Sequence, residues 1–225
     1  MQEPTARAPR PSVSAWTRSL LARFDGAVLR VAPPRASAST SVTGLAALQA
    51  WCFAGALPRV EQRFTVATLA EAGLAHEIDA FSRHLDGTDQ LAAAGGRWAG
   101  LWLRLRVKLN DALAWRARRP SDPWDAGYLI GDAQAWQRFQ PRRATLMVAD
   151  GHLSDAALRE AVRILQSNSA GYRHPVRLLV VGRSIDALAW SSTPSSSLAI
   201  REIAWPSDAA ARVSVASAST ASASR

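Results

Sequence analysis

The chain has 225 residues, of which 48% are hydrophobic and 20% are charged, a balance typical of a globular domain with a buried core. It has no run of about 20 apolar residues, which excludes a membrane-spanning helix, and its single cysteine, Cys52, excludes an internal disulfide. The net charge is +9, and because Lys108 is the only lysine, this basicity comes from arginine. We expect a cytoplasmic protein.

The folded domain is predicted to span residues 41–206. We expect residues 1–40 to form a partly disordered extension with a short strand at Ala27–Val31, and residues 207–225 to form a disordered tail rich in Ala and Ser. Such segments bury too little apolar surface to offset the entropy of ordering. The domain is predicted to begin with helix Gly44–Phe53, strand Phe64–Leu69, helix Leu74–Leu85 and a weak strand at Gln90–Ala94.

The most regular helix is predicted at Trp98–Ala117, and Pro120 and Pro123 follow its end. A short strand at Gly127–Ile130 and a short helix at Asp132–Phe139 come next. The apolar residues of the long helix recur at helical spacing and form one stripe, which we expect to face the core: Trp98, Leu101, Trp102, Leu105, Leu109, Ala112 and Leu113.

A βαβ unit is the clearest pattern of the chain. Thr145–Ala149 and Val176–Val181 are continuous apolar runs, typical of strands buried on both faces of a parallel sheet. Ser154 can cap a helix between them, which predicts two parallel strands joined by a right-handed crossover. A last strand is predicted within Leu198–Trp205. The predicted fold class is therefore α/β, with a mainly parallel sheet and helices on both faces.

Asp150 directly follows the Thr145–Ala149 strand. Ligands of open α/β sheets bind beyond the carboxyl ends of the strands, and a carboxylate at that position can hold a hydrated Mg²⁺. Asp150 is therefore the candidate metal ligand. Taken alone, the pattern favours a simpler interpretation, in which the aspartate only caps the turn at Gly151–Ser154.

A glycine segment precedes the long helix. Gly95 and Gly100 have the spacing of the phosphate loop G-x-x-x-x-G-K-[ST], in which backbone N–H groups cradle phosphates, the lysine neutralises them and the hydroxyl binds Mg²⁺. Leu101 and Trp102 stand where the lysine and the hydroxyl belong, and neither side chain has that chemistry. Taken alone, the segment favours a simple turn that opens an amphipathic helix.

The order of these segments resembles the core of bacterial STAND-type ATPases, a family of P-loop NTPases. The likeness covers about residues 88–185 and rests on the glycine segment followed by three motifs: WDAGYL at 124–129, PRRATLMVAD at 141–150 and PVRLLV at 175–180. It implies nucleotide contacts from Gly95, Gly96, Gly100, Asp150 and Arg183. Among these residues, Asp150 corresponds to the Walker B carboxylate and Arg183 to a γ-phosphate sensor.

The resemblance implies ATP with Mg²⁺ as a ligand, but the missing lysine and hydroxyl argue against an enzyme. We predict a degenerate, non-hydrolysing P-loop NTPase-like module that requires no cofactor and acts with a protein partner in regulation or assembly. One alternative is an active ATPase with a non-standard loop, in which another arginine replaces the lysine.

A further alternative is binding through basic residues. Between Arg97 and Arg119 there are seven basic residues and one acid, Asp111, a net charge of +6. Such a stretch can contact nucleic acid, an acidic protein or anionic lipid, or it can simply be the solvated face of a core helix, which is the favoured interpretation. The residues that would contact an anion are Arg104, Arg106, Lys108, Arg116, Arg118 and Arg119.

Other chemistries have less support in the sequence. Cys52 lies in an apolar helical pattern, which predicts a packed thiol and not a nucleophile. The four histidines are scattered and have no cysteine at metal-binding spacing.

Overall fold

The computed structural model describes residues 25–32, 42–54, 63–71, 73–93, 122–183 and 200–205, together with Trp98, Gly100, Leu101, Trp102 and Leu105. Most of the predicted extension and the whole of the predicted tail at 207–225 lie outside these residues.

The predicted α/β class is confirmed. Strands at Phe64–Leu69, Thr145–Ala149 and Val176–Val181 have the predicted bounds. The elements in chain order are β1 (Leu29–Arg30), α1 (Val42–Phe53), β2 (Phe64–Leu69), α2 (Ala75–Leu85), α3 (Thr88–Ala93), β3 (Asp125–Leu129), α4 (Ala133–Arg138), β4 (Thr145–Ala149), α5 (Asp155–Asn168), β5 (Val176–Val181) and β6 (Ile200–Glu202).

The six strands form one sheet in the order β1-β3-β4-β5-β2-β6. Five of them run parallel, from β3 through β4, β5 and β2 to β6. β1 is antiparallel to β3 and pairs Leu29 with Leu129. The short strand predicted within the extension at residues 1–40 is therefore present as β1 and belongs to the sheet.

Side chains of the central strands alternate between two cores, as the period of a strand requires. Val66 of β2 and Leu178 of β5 share one core with helices α4 and α5. Their neighbours Ala67 and Leu179 share the other core with α1 and α2. Helices therefore cover both faces of the sheet, as predicted.

The predicted strand at Gln90–Ala94 is wrong, because Thr88–Ala93 form helix α3. The segment is rich in alanine and has no β-branched residue after Thr88, so its intrinsic preference is helical. Asp86 also accepts a hydrogen bond from the backbone N of Thr88 (2.8 Å), which fixes the chain at the start of the helix. An apolar run alone does not distinguish a strand from a helix.

The predicted burial of Trp98 and Trp102 is also wrong. The five described residues between 98 and 105 are helical, as expected. Their apolar side chains, however, are exposed, Trp98 by 82% and Trp102 by 64%. Helical spacing determines which side chains share a face, but it does not determine what covers that face. The rest of the predicted stripe lies outside the described part of the chain.

Candidate functional site

The carboxyl ends of β2 and β5 form a switch point in the sheet. After β2 the chain runs to β3, which lies on the β5 side of β2 in the sheet. After β5 it runs in the opposite direction to β6, which lies beyond β2. Open α/β sheets bind ligands at such a point, where neighbouring strands send their connections in opposite directions. A ligand site is therefore expected at this edge of the sheet.

A cavity of about 260 Å³ opens at this edge. Part of its wall comes from the ends of β3, β4 and β5, and part from the first turn of α2. Its polar side chains come from Arg30, Tyr128, Asp150 and His152. The cavity is slightly smaller than the roughly 300–1,000 Å³ of typical small-molecule sites, so it has room for part of a nucleotide and not for all of it.

Asp150 lies directly after β4, and its side chain is 29% exposed. Its Oδ1 accepts a hydrogen bond from the backbone N of His152 (3.1 Å), and its Oδ2 lies 3.6 Å from Nε2 of His152. Asp150 therefore caps the turn, as the simpler interpretation predicts. Asp150 also lines the cavity, and its Oδ2 takes no part in the hydrogen bond that caps the turn.

Helix α2 begins at the cavity wall with Ala75. Its N-cap residue is Leu74, which makes no side-chain capping hydrogen bond, so the first N–H groups of the helix lack such a cap. Uncapped N–H groups and the helix dipole both favour an anion at this end. Gly73 precedes them with φ of +100°, a conformation that favours glycine and so specifies the turn from β2 into α2.

A buried hydrogen bond holds α2 against the sheet. The Tyr128 hydroxyl on β3 donates to Oδ1 of Asp79 on α2 at 2.8 Å, and both side chains are buried. The guanidinium of Arg30 lies 5.8 Å from the centre of the Tyr128 ring, within cation–π range. These contacts place the exposed Arg30 at the same cavity as the start of α2.

Of the three described residues that the resemblance assigns to a nucleotide, Gly100, Asp150 and Arg183, Asp150 alone lines this cavity. Gly95 and Gly96 lie outside the described residues, and Gly100 is in a helix beside the exposed Leu101. Arg183 follows β5, but its guanidinium contacts the carbonyl oxygen of Leu153 and Oδ1 of Asp155 (3.2 Å). The six basic residues of the alternative lie outside the described part of the chain: Arg104, Arg106, Lys108, Arg116, Arg118 and Arg119.

Sequence reasoning does not find Arg30 and Tyr128 as residues of this cavity. A strand at Ala27–Val31 is predicted, but its partner is not. The antiparallel pairing of β1 with β3 sets Arg30 opposite Tyr128, and this long-range pairing creates the contact. No local pattern in the sequence carries that information.

The residues present fit only one mode of metal binding. Among the described residues, no group of three or more His, Cys, Asp or Glu side chains is placed to hold a metal ion. Asp150 can thus hold Mg²⁺ only together with water and oxygens from a ligand, which is a common mode for this ion. ATP with Mg²⁺ is compatible with such a donor set only if the nucleotide itself supplies most of the oxygens.

The thiol of Cys52 is not a second reactive site. The side chain is buried in the core between α1 and the sheet, and burial raises its pKa to about 12. The nucleophilic form of a cysteine is the thiolate, which this environment disfavours. The prediction of a packed thiol is confirmed.

Comparisons of the chain with protein-family models, with curated proteins and with solved structures gave no match. The resemblance to STAND-type ATPases therefore stays a prediction. No helix within the described ranges is long and apolar enough to cross a membrane.

Proposed function

We propose that the protein is a degenerate, non-hydrolysing P-loop NTPase-like module that holds the phosphates of a nucleotide and acts in regulation or assembly with a protein partner. One observation carries the proposal: an uncapped helix start, a carboxylate and an arginine line a single cavity at the carboxyl edge of the parallel strands. This combination suits an anion that brings a cation with it.

In this proposal the phosphates face the turn between β2 and α2, and not the segment 95–100. A phosphate loop joins a strand to a helix, and Gly73 lies in such a connection. The segment 95–100 follows helix α3 instead. The turn at 70–74 contains no lysine, so the loss of the phosphate-binding lysine applies to either position.

Arg30 takes over part of the missing positive charge. Arg30 reaches the cavity from β1, the antiparallel edge strand, where it pairs with Tyr128 of the neighbouring strand β3. An arginine offers a planar set of donors that binds phosphate oxygens, but it does not reproduce the point charge of a lysine inside the loop. The proposal is therefore binding without turnover.

The test is calorimetric titration of the full chain with ATP and with ADP, each with and without Mg²⁺. We expect binding without hydrolysis. Arg30→Ala should weaken binding about tenfold or more, because a hydrogen bond to a charged group contributes about 1.5–3 kcal/mol. Asp150→Asn should remove the part of the affinity that depends on Mg²⁺. Arg201→Ala, an exposed arginine on the opposite edge strand β6, is the matched control.

Each other outcome has a defined meaning. Absence of binding at millimolar nucleotide overturns the proposal and leaves a scaffold without a nucleotide. Turnover that Asp150→Asn abolishes supports the active ATPase instead. An equal loss in Arg30→Ala and Arg201→Ala shows that only the overall positive charge attracts the nucleotide.

A further inference from the structure

Four apolar side chains form an exposed stripe on the helical segment after α3. Trp98, Leu101, Trp102 and Leu105 stand at helical spacing i, i+3, i+4 and i+7, with 82%, 52%, 64% and 45% of their surface exposed. We call these four residues the Trp/Leu stripe. They are the exposed large hydrophobic residues of the described part of the chain. A concentrated apolar patch of this kind marks a contact surface.

The sequence around the Trp/Leu stripe has the highest positive charge density of the chain. From Arg97 to Arg119 it carries seven basic residues and one acid, which is +6 of the net +9. A contact surface in this stretch must therefore suit a partner that is both apolar and negatively charged. An anionic lipid surface has both properties.

We propose that the Trp/Leu stripe docks on the surface of an anionic bilayer, with its helix lying in the plane of the interface. Helices of this kind bring Trp and Leu on one face and Lys and Arg elsewhere, and they bind through apolar burial together with attraction to acidic headgroups. Trp98 and Trp102 have the amphipathic ring that is enriched at the boundary between headgroups and acyl chains.

Two other occupants fit less well. A second copy of the chain would bring two stretches of charge +6 together, and like charges oppose that contact. A nucleic acid would match the charge, and its bases could stack on the two tryptophans. Leu101 and Leu105 lie in the same stripe, however, and a base offers them no comparable apolar partner. A bilayer can bury the apolar surface of all four side chains.

The experiment is sedimentation of the full chain with vesicles of phosphatidylserine and phosphatidylcholine, and with vesicles of phosphatidylcholine alone. We expect binding to the acidic vesicles, weaker binding in high salt and little binding to the neutral ones. Trp98→Ser together with Trp102→Ser should lower the affinity at least about tenfold, because the buried apolar area is lost. Trp98→Phe with Trp102→Phe should retain most of it.

Circular dichroism and thermal unfolding of the two double variants show whether they fold, and exposed positions should leave both signals unchanged. Absence of vesicle binding by the wild-type chain overturns the proposal. So does a self-association, or a binding of single-stranded DNA, that the serine variant loses while vesicle binding stays intact. Arg30→Ala should bind vesicles like wild type, so this test and the nucleotide test fail or succeed separately.

Discussion

At the scale of single residues, Asp125 and Arg143 show that residues of the segments resembling STAND-type ATPases can stabilise the fold without contacting a ligand. Nη1 of Arg143 lies 3.5 Å from Oδ1 of Asp125, and both side chains are almost fully buried. The two residues belong to the WDAGYL and PRRATLMVAD segments, and they join the amino ends of β3 and β4. This ion pair lies at the opposite end of the strands from Asp150. It supports packing of the sheet and not binding of a nucleotide.

Arg143→Met should destabilise the fold by about 3–5 kcal/mol, because it removes one partner of a buried ion pair. The free energy of unfolding in urea measures this loss. Arg142→Met changes the exposed neighbouring arginine and serves as the control, with an expected effect within about 0.5 kcal/mol. Equal effects of the two substitutions would contradict a stabilising role for the buried pair.

Cys52 should make stability depend on alkaline pH. Burial raises the pKa of its thiol from 9.0 to about 12, and the nearby Arg177 opposes this only in part. Above pH 9 the unfolded chain releases the thiol proton while the folded chain keeps it, so unfolding is favoured as pH rises. The contribution is thus fully present below about pH 9 and is lost between pH 9 and about 12.

Comparison of the wild-type chain with Cys52→Ala isolates this effect. Between pH 9 and 11 the unfolding free energy of the wild type should fall more steeply than that of the variant, by up to about 1.4 kcal/mol per pH unit. Burial also raises the pKa of Tyr172, but both proteins retain that tyrosine and its contribution cancels. Parallel curves for the two proteins would show that the thiol ionises equally in both states.

At the scale of elements, Arg177 joins β5 to the end of α1. Its guanidinium is buried and donates to the carbonyl oxygens of Cys52 (3.3 Å) and Ala54 (2.9 Å). The last carbonyls of a helix have no partner within the helix, and a cation also complements the dipole at this end. A charged residue inside an otherwise apolar strand thereby fixes where α1 ends on the sheet.

Arg177→Met should increase local opening of helix α1 more than opening of the sheet. Each hydrogen bond from a charged donor contributes about 1.5–3 kcal/mol, and the substitution removes the two that reach the end of α1, at Cys52 and Ala54. Hydrogen exchange at Val42–Phe53 should accelerate more than exchange in β4. Arg173→Met, in the exposed turn before β5, should leave both rates unchanged. Uniform acceleration across the sheet would instead point to general destabilisation.

Local patterns identify element type well where several signals agree. The helix after β4 has a regular apolar face and an N-cap, and Ser154 does accept a hydrogen bond from the backbone N of Ala157 (3.2 Å). The Gln90–Ala94 segment has only an apolar run, and the strand predicted there is wrong. The Trp/Leu stripe has the right period, but its environment was predicted incorrectly, because a period contains no information about neighbours.

At the scale of the whole molecule, the sequence predicts the sheet better than it predicts the site. The sequence predicts Asp150 as a site residue because the end of an apolar strand is visible in the local pattern. Arg30 reaches the cavity only through the pairing of β1 with β3, and Ala75 does so only because α2 packs beside the same strand ends. Both depend on contacts between distant parts of the chain, which local patterns in a single sequence do not reveal.

The position of β2 has a consequence for how the protein is made. β2 is the earliest of the parallel strands, yet its two neighbours are β5 and β6, the last two strands described. On the ribosome, both of its edges stay open until Val176 and the residues after it have emerged. At about 5–20 residues per second this interval is on the order of ten seconds. An apolar strand with unpaired edges can pair with the same strand of another nascent chain. Synthesis of this protein should therefore depend on chaperones that cover β2 during this interval.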